Sequence, residues 1–174
     1  MRLLLACGVL FAADLLLALV LPAREAGAGS ALRLPLPELV QRSELVVEAR
    51  VLAAEPREAD GILATEYLLE VERTFKGADQ SYRTLRLPGG VRADGSGLLV
   101  PGVPHLAPGE EALLFLSGES ARGLRLPTGL AQGKFGVQRL GDGTKRLVRD
   151  TAGLALVGPG GSAPGTRTTE DYAG

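Results

Sequence analysis

Apolar and polar residues alternate most regularly between Ser43 and Gly77. In the run Leu45, Val46, Val47, Glu48, Ala49, Arg50, Val51 every odd position is apolar, while Glu48 and Arg50 fall on the even side. The pattern returns from Thr65 to Glu72, with Tyr67, Leu69 and Val71 on one side and Glu66, Glu70 and Glu72 on the other. Successive side chains of a strand point to opposite faces, so a period of two marks a strand with one buried and one wet face. The two runs predict a long antiparallel hairpin that turns through the polar residues 56–61.

More strands are expected downstream. Residues 82–87 read as a third, with Leu85 and Leu87 inward and Arg86 outward, ended by Pro88-Gly89-Gly90. Ala112-Leu113-Leu114-Phe115-Leu116 is apolar on both faces, which places it centrally in a sheet with cover on each side. Residues 98–100 and 124–126 suggest short strands, the latter at an edge. Residues 135–140 and 146–148 flank Gly141-Asp142-Gly143, whose Asp-Gly step is a hairpin signal. About seven strands at this turn spacing predict an all-β fold, a small antiparallel barrel or sandwich. Ahead of them, residues 35–41 read as one or two helical turns. Proline costs no hydrogen bond at the first helical positions, and Glu38 suits the positive end of the helix dipole. Leu36, Leu39 and Val40, at i, i+3 and i+4, would pack this turn over one end of the barrel. The expected core is Leu45, Val47, Val51, Tyr67, Leu69, Val71, Leu85, Leu87, Leu114, Phe115, Phe135 and Val137.

The N-terminus reads as an export signal. Met1-Arg2 supplies a short positive region, residues 3–21 are apolar except for Asp14, and Ala26-Gly27-Ala28 fits a small-x-small cleavage site. Residues 1–28 are therefore expected to be removed, leaving a mature start at Gly29 and a secreted or periplasmic protein with no membrane contact. An uncleaved anchor is opposed by Asp14, which costs roughly 3 kcal/mol in mid-span. A lipoprotein at Leu4-Leu5-Ala6-Cys7 would have an apolar region shorter than the ~7 residues a signal needs. Residues 29–34 form a lead-in segment and 35–157 the β-domain. Residues 158–174, rich in Gly, Pro, Ser and Thr without apolar periodicity, read as a disordered tail.

Composition narrows the chemistry. Cys7 is the only cysteine, so the mature chain has neither a disulfide nor a thiol nucleophile. Without Arg2, Arg24, Asp14 and Glu25 the 19 basic and 20 acidic residues fall by two each, leaving net charge at −1. That gives no field for nucleic acid or anionic lipid. Arg122, Arg125, Arg139, Arg146 and Arg149 could form a basic patch, but stacking aromatics are scarce. Of Phe75, Phe115, Phe135, Tyr67, Tyr82 and Tyr172, four are expected inward and Tyr172 in the tail.

His105, the single histidine, stands in a proline-rich loop. A triad with Ser96 or Ser117 lacks the Gly-x-Ser-x-Gly elbow around either serine. One histidine without cysteine is too few ligands for zinc, and Asp94, Glu110 and Glu111 lack the spacing of a calcium loop. Gly129-Leu130-Ala131-Gln132-Gly133-Lys134-Phe135 falls short of a phosphate loop by one residue between its glycines, and Phe135 replaces the Mg²⁺-binding hydroxyl. It reads instead as a bend into a strand, with Gln132 bonding backbone. Glu66, Glu70 and Glu72 read as a solvated face. No catalytic, cofactor or metal site is expected, and the chain reads as a non-enzyme.

The Ser43–Val51 strand, followed by Tyr67-Leu68-Leu69-Glu70-Val71-Glu72-Arg73-Thr74-Phe75-Lys76-Gly77, resembles the opening hairpin of netrin-like modules. These share the OB-type barrel of tissue inhibitors of metalloproteinases. Residues 108–116 and 129–135 are similar to a bacterial secreted form of that module, and the likeness runs over residues 36–148. It implies a small OB-type barrel, and with no active site expected the chain reads as a binding module for a protein in the envelope or outside the cell. The alternative it leaves open is a loop-mediated inhibitor, or an accessory domain, of a secreted protease. Inhibitors of that family chelate zinc through an N-terminal cysteine, which a mature chain starting at Gly29 lacks, and the sequence contains no His-Glu-x-x-His. The irregular residues 89–109 are the expected partner surface, since loops on a rigid scaffold carry function without disturbing the core.

Overall fold

The computed structural model describes residues 29–59 and 61–172; the expected export signal, residues 1–28, lies outside the described residues. The fold is mostly β. In chain order it comprises β1 (Gly29–Leu32), helix α1 (Leu36–Arg42), β2 (Leu45–Ala59), β3 (Ile62–Lys76), β4 (Tyr82–Pro88), β5 (Gly90–Val91), β6 (Gly97–Leu98) and β7 (Glu111–Leu116). A 3-10 turn (Leu130–Gly133) then leads into β8 (Lys134–Arg139), β9 (Lys145–Asp150), β10 (Leu154–Gly158), β11 (Gly161–Pro164) and β12 (Arg167–Asp171). The main sheet has seven antiparallel strands in the order β12-β9-β8-β7-β2-β3-β4. Among the described residues β12 and β4 remain separate edges, and no ladder closes the sheet into a barrel. The order β7-β2-β3-β4 is a Greek key: three strands joined by tight turns, with a fourth returning by a long crossover beside the first.

The hairpin of β2 and β3 is longer and tighter than the polar run at 56–61 suggests. Its ladder passes through Pro56, which faces Thr65, and continues to Ala59 opposite Ile62. Gly61, at φ +70°, supplies the left-handed backbone of the turn. Register slips leave Phe75, Glu72 and Leu52 as extra residues in the ladder. Such bulges bend a strand and re-aim its side chains.

One face of the sheet carries the larger core: Leu45, Val47, Ala49 and Val51 of β2, Tyr67 and Leu69 of β3, Leu85 and Leu87 of β4, and Ala112, Leu114 and Leu116 of β7, with Leu106 folding over them. The opposite face, expected wet along β2, is covered as well. There Val46, Leu113, Phe115, Phe135 and Leu147 pack beneath Leu34 and Leu39. Phe115 and Phe135 meet at 5.6 Å between ring centroids. Val71 and Val137 are only partly buried. β7 is the expected central strand, buried on both faces between β2 and β8.

Helix α1 forms as predicted, but Leu39 alone enters the core; Leu36 and Val40 are exposed. The helix is pinned at its end, where Ser43 donates to the Leu39 carbonyl and shares a hydrogen bond with Thr128 Oγ1 at 2.8 Å. Residues 124–126 form no strand; only Pro127 makes an isolated bridge, to Leu116. The short strand expected at 98–100 is β6, two residues long and paired with β5.

The terminal segments depart furthest from expectation. Residues 29–32 are a strand, β1, parallel to β10, rather than a lead-in. Residues 158–172 are ordered: β11 pairs with β10 and β12 with β9. The missing apolar periodicity has a plain cause. β12 is exposed along its whole length and is held by main-chain bonds instead of a buried face. Its anchor is a knot at Thr151, which exchanges bonds with Thr166 through both its backbone N–H (3.1 Å) and its hydroxyl (2.9 and 3.0 Å).

Candidate functional site

The long crossover from β4 to β7 contains the expected partner surface. After Pro88 the chain rises as the small β5–β6 hairpin, whose tip is tied by Ser96, donating through N–H and hydroxyl to Asp94 at 2.9 and 2.7 Å. Arg92 bonds Glu58 at 2.9 Å and so fixes this hairpin to the end of β2. The crossover then returns through Pro101 to Pro108, plugging the core with Leu106. Three large apolar side chains stay outside: Val91 is 65 % exposed, Leu98 50 % and Leu99 87 %. An exposed apolar group carries an unrealised burial gain of about 1.5–3 kcal/mol, so three on one small hairpin make a contact surface. Beside them lies a cleft of about 250 Å³ lined by Thr65, Tyr67, Leu87, Val100, Val103 and His105, among others.

His105 sits at the cleft mouth with Nδ1 3.3 Å from the Tyr67 hydroxyl and the rings edge to face. Burial raises the Tyr67 phenol above its ordinary pKa, so it stays protonated at neutral pH. The structure does not bring His105 to a serine: Ser96 is engaged with Asp94, and the Ser117 hydroxyl bonds the neighbouring Gly118 carbonyl. The calcium candidates are spread out. Glu110 pairs with Lys134 at 2.6 Å, Glu111 with Arg50 and Arg139, and Asp94 turns back on its own loop. Among the described residues no three His, Cys, Asp or Glu side chains converge as a metal site would need. Gln132 behaves as expected and reaches further: its amide accepts from Leu34 N–H and donates to the Leu32 and Gly129 carbonyls. Four of the five arginines, Arg125, Arg139, Arg146 and Arg149, each face a carboxylate, so their charge is locally balanced. Three aromatic rings, Tyr67, Phe115 and Phe135, are buried rather than four; Phe75 and Tyr82 are exposed.

Periodicity did not reveal an ionic cluster on the second face, where β2, β3, β7, β8 and β9 run side by side. Glu48 is only 3 % exposed. It accepts from Lys145 Nζ at 2.5 Å and from the Tyr172 hydroxyl at 2.8 Å. Around it Glu72 and Glu111 alternate with Arg50 and Arg139. Three carboxylates meet three cations, so the cluster is neutral and internally satisfied. Burial pushes the Glu111 carboxyl up, but the Arg139 hydrogen bond and the charges of Arg139, Arg50 and Lys145 outweigh it, leaving the group below its ordinary value. The Glu48 bond holds the Lys145 ammonium above its usual pKa. Burial and then Glu48 raise the Tyr172 phenol. The one signal available in sequence was a glutamate set inside an apolar strand.

Among the described residues no helix is long and apolar enough to cross a membrane. No family model matches the chain, and no curated protein or solved structure does.

Proposed function

We propose that this chain is an exported, non-enzymatic binding module, and that it takes a protein partner in the envelope or outside the cell through the hairpin and cleft of residues 89–105. The observation that carries this reading is the exposure of Val91, Leu98 and Leu99 together on a hairpin fixed at both ends by Arg92 and by Leu106. A rigid, apolar projection loses little conformational freedom on docking, which leaves more of its burial gain as affinity. The polar groups nearby are engaged with one another, which supports binding over catalysis. The Greek-key order of β2, β3, β4 and β7 supports the OB-type, netrin-like assignment, since that barrel is a partly open Greek key.

The test is capture from the host's envelope and culture medium with the wild-type chain and with Leu99→Asp and Val91→Asp variants, checking that all three unfold at the same urea concentration. A recurrent partner that both variants lose supports the assignment, and a protease as that partner would make residues 89–105 an inhibitory loop. Retention of the partner by both variants would move the binding surface elsewhere.

A further inference from the structure

The two edges of the main sheet are treated differently. On β4 the Arg86 carbonyl is already taken by the Arg125 N–H, and the adjoining chain folds beside it. Among the described residues no strand covers the outer edge of β12. Thr166 and Tyr172 bond inward to β9, so residues 168 and 170 share their direction and the N–H and C=O of Arg167, Thr169 and Asp171 point away from the sheet. Among the described residues none of these outward groups has a partner. An unpaired edge without proline or bulge can serve as a template for another strand.

The sequence of β12, Arg-Thr-Thr-Glu-Asp, says which strand fits. Laid antiparallel on itself about Thr169, it sets Arg167 opposite Asp171 of a second copy and Thr168 opposite Glu170. Arg167, Thr169 and Asp171 are also the residues whose backbone groups point outward, so this register satisfies main chain and charge together. Three facing pairs would exchange about six backbone bonds. Arg167 has no ion-pair partner of its own among the described residues, and Asp171, 96 % exposed, has only a loose 3.7 Å contact with Arg146. Both charges are free to be used across the two-fold axis.

We propose that β12 is an isologous edge through which two copies of this chain join their seven-stranded sheets into one continuous sheet. A strand of five residues buries far less than the roughly 1,200–2,000 Å² of a stable interface, so the dimer is weak, with a dissociation constant of about 0.1–1 mM. It exposes two copies of the 89–105 hairpin at once, which would raise avidity for a repeated or surface-bound partner.

Sedimentation of the full chain, expressed from Met1 and purified as the cell leaves it, should show a reversible rise in mass between about 10 µM and 1 mM. Thr169→Pro removes the outward N–H at the axis and is tolerated by an edge strand, so it should abolish the rise while leaving the urea midpoint in place. Arg167→Asp and Asp171→Arg should each weaken association at least tenfold, because each sets like charges face to face. An equimolar mixture of those two variants should recover it, since every facing pair is then of opposite sign. Wild-type protein that stays monomeric at 1 mM would overturn the proposal. So would a Thr169→Pro variant that associates as before, or charge variants that behave alike whether alone or mixed.

Discussion

Removing the Lys145 ammonium tests how deeply Glu48 is desolvated. The Glu48 side chain is 4 % exposed and that of Lys145 22 %, and among the described residues the other donor to the carboxylate is the Tyr172 hydroxyl. Taking one partner from a fully buried pair costs about 3–5 kcal/mol, chiefly because the other charge is stranded. Here water reaches Lys145 and Tyr172 still donates, so Lys145→Ala should cost about 2–3 kcal/mol. The lost contacts to Glu72 (3.4 Å) and to the Tyr172 ring (5.7 Å) are exposed and add little. At a urea slope of about 1–3 kcal/mol per molar, the unfolding midpoint should fall by roughly 0.7–3 M with no change in slope. Adding Glu48→Gln to the same chain should recover most of that loss, because a neutral amide is far cheaper to bury than a lone carboxylate. Replacing both residues by methionine should return stability to within about 1 kcal/mol of the wild type. Arg42→Ala, which removes an exposed pair to Glu38, is the control. If Lys145→Ala costs no more than that control, or Glu48→Gln fails to rescue it, Glu48 is solvated and the second face is wetter than described here.

Four further outcomes rest on the packing and the ionic cluster. Leu39→Ala, which empties the fully buried site that α1 fills, should cost about 3–4 kcal/mol by urea unfolding, mid-range for buried leucines. Gly165→Ala should cost about 3 kcal/mol and expose β12 amides to hydrogen exchange, since a β-carbon there would lie 1.8 Å from the Thr151 carbonyl oxygen. In a pH series, stability owed to Glu111 is present above its ordinary value of 4.5 and is lost as pH falls through its depressed folded pKa, so Glu111→Gln should flatten the acid limb. The contribution of Lys145, whose folded pKa is raised, is full below 10.5 and disappears as pH rises beyond it.

The sequence made the first face legible along β2, β3 and β4 because there the core follows the two-residue period: Leu45, Val47, Val51, Tyr67, Leu69, Leu85 and Leu87 are all buried as expected. β7 was legible because an apolar run on both faces admits only a central place. The second face was hidden because periodicity sees residue type and not partner. Glu48 meets Lys145 from 97 residues away and Tyr172 from 124. The bulges at Glu72 and Phe75 likewise leave no trace in the hydropathy pattern. β12 was misread because a strand held by its backbone, with both faces in solvent, has the composition of a disordered tail. Within the candidate site the irregular crossover could be located from its glycines and prolines. Which of its apolar residues stay outside depends on how Leu106 and Val103 fill the core, and that follows only from the fold.

The Greek-key crossover also bears on how the molecule assembles. β2, β3 and β4 form one local meander closable by short turns, and β7, β8 and β9 another, in which residues 117–133 separate β7 from β8, while the β2–β7 ladder joins residues as distant as Leu45 and Leu116. Pairing those two halves is the slow, loop-closing event of folding, because the entropy of the intervening chain must be spent before the ladder rewards it. That entropy grows only logarithmically, by about 0.6 kcal/mol for each doubling of loop length. The same crossover carries the projecting hairpin, so it can lengthen or change sequence at Asp94-Gly95 with small cost in stability and a modest cost in folding rate. Recognition can therefore diversify on a scaffold whose halves are specified elsewhere in the chain.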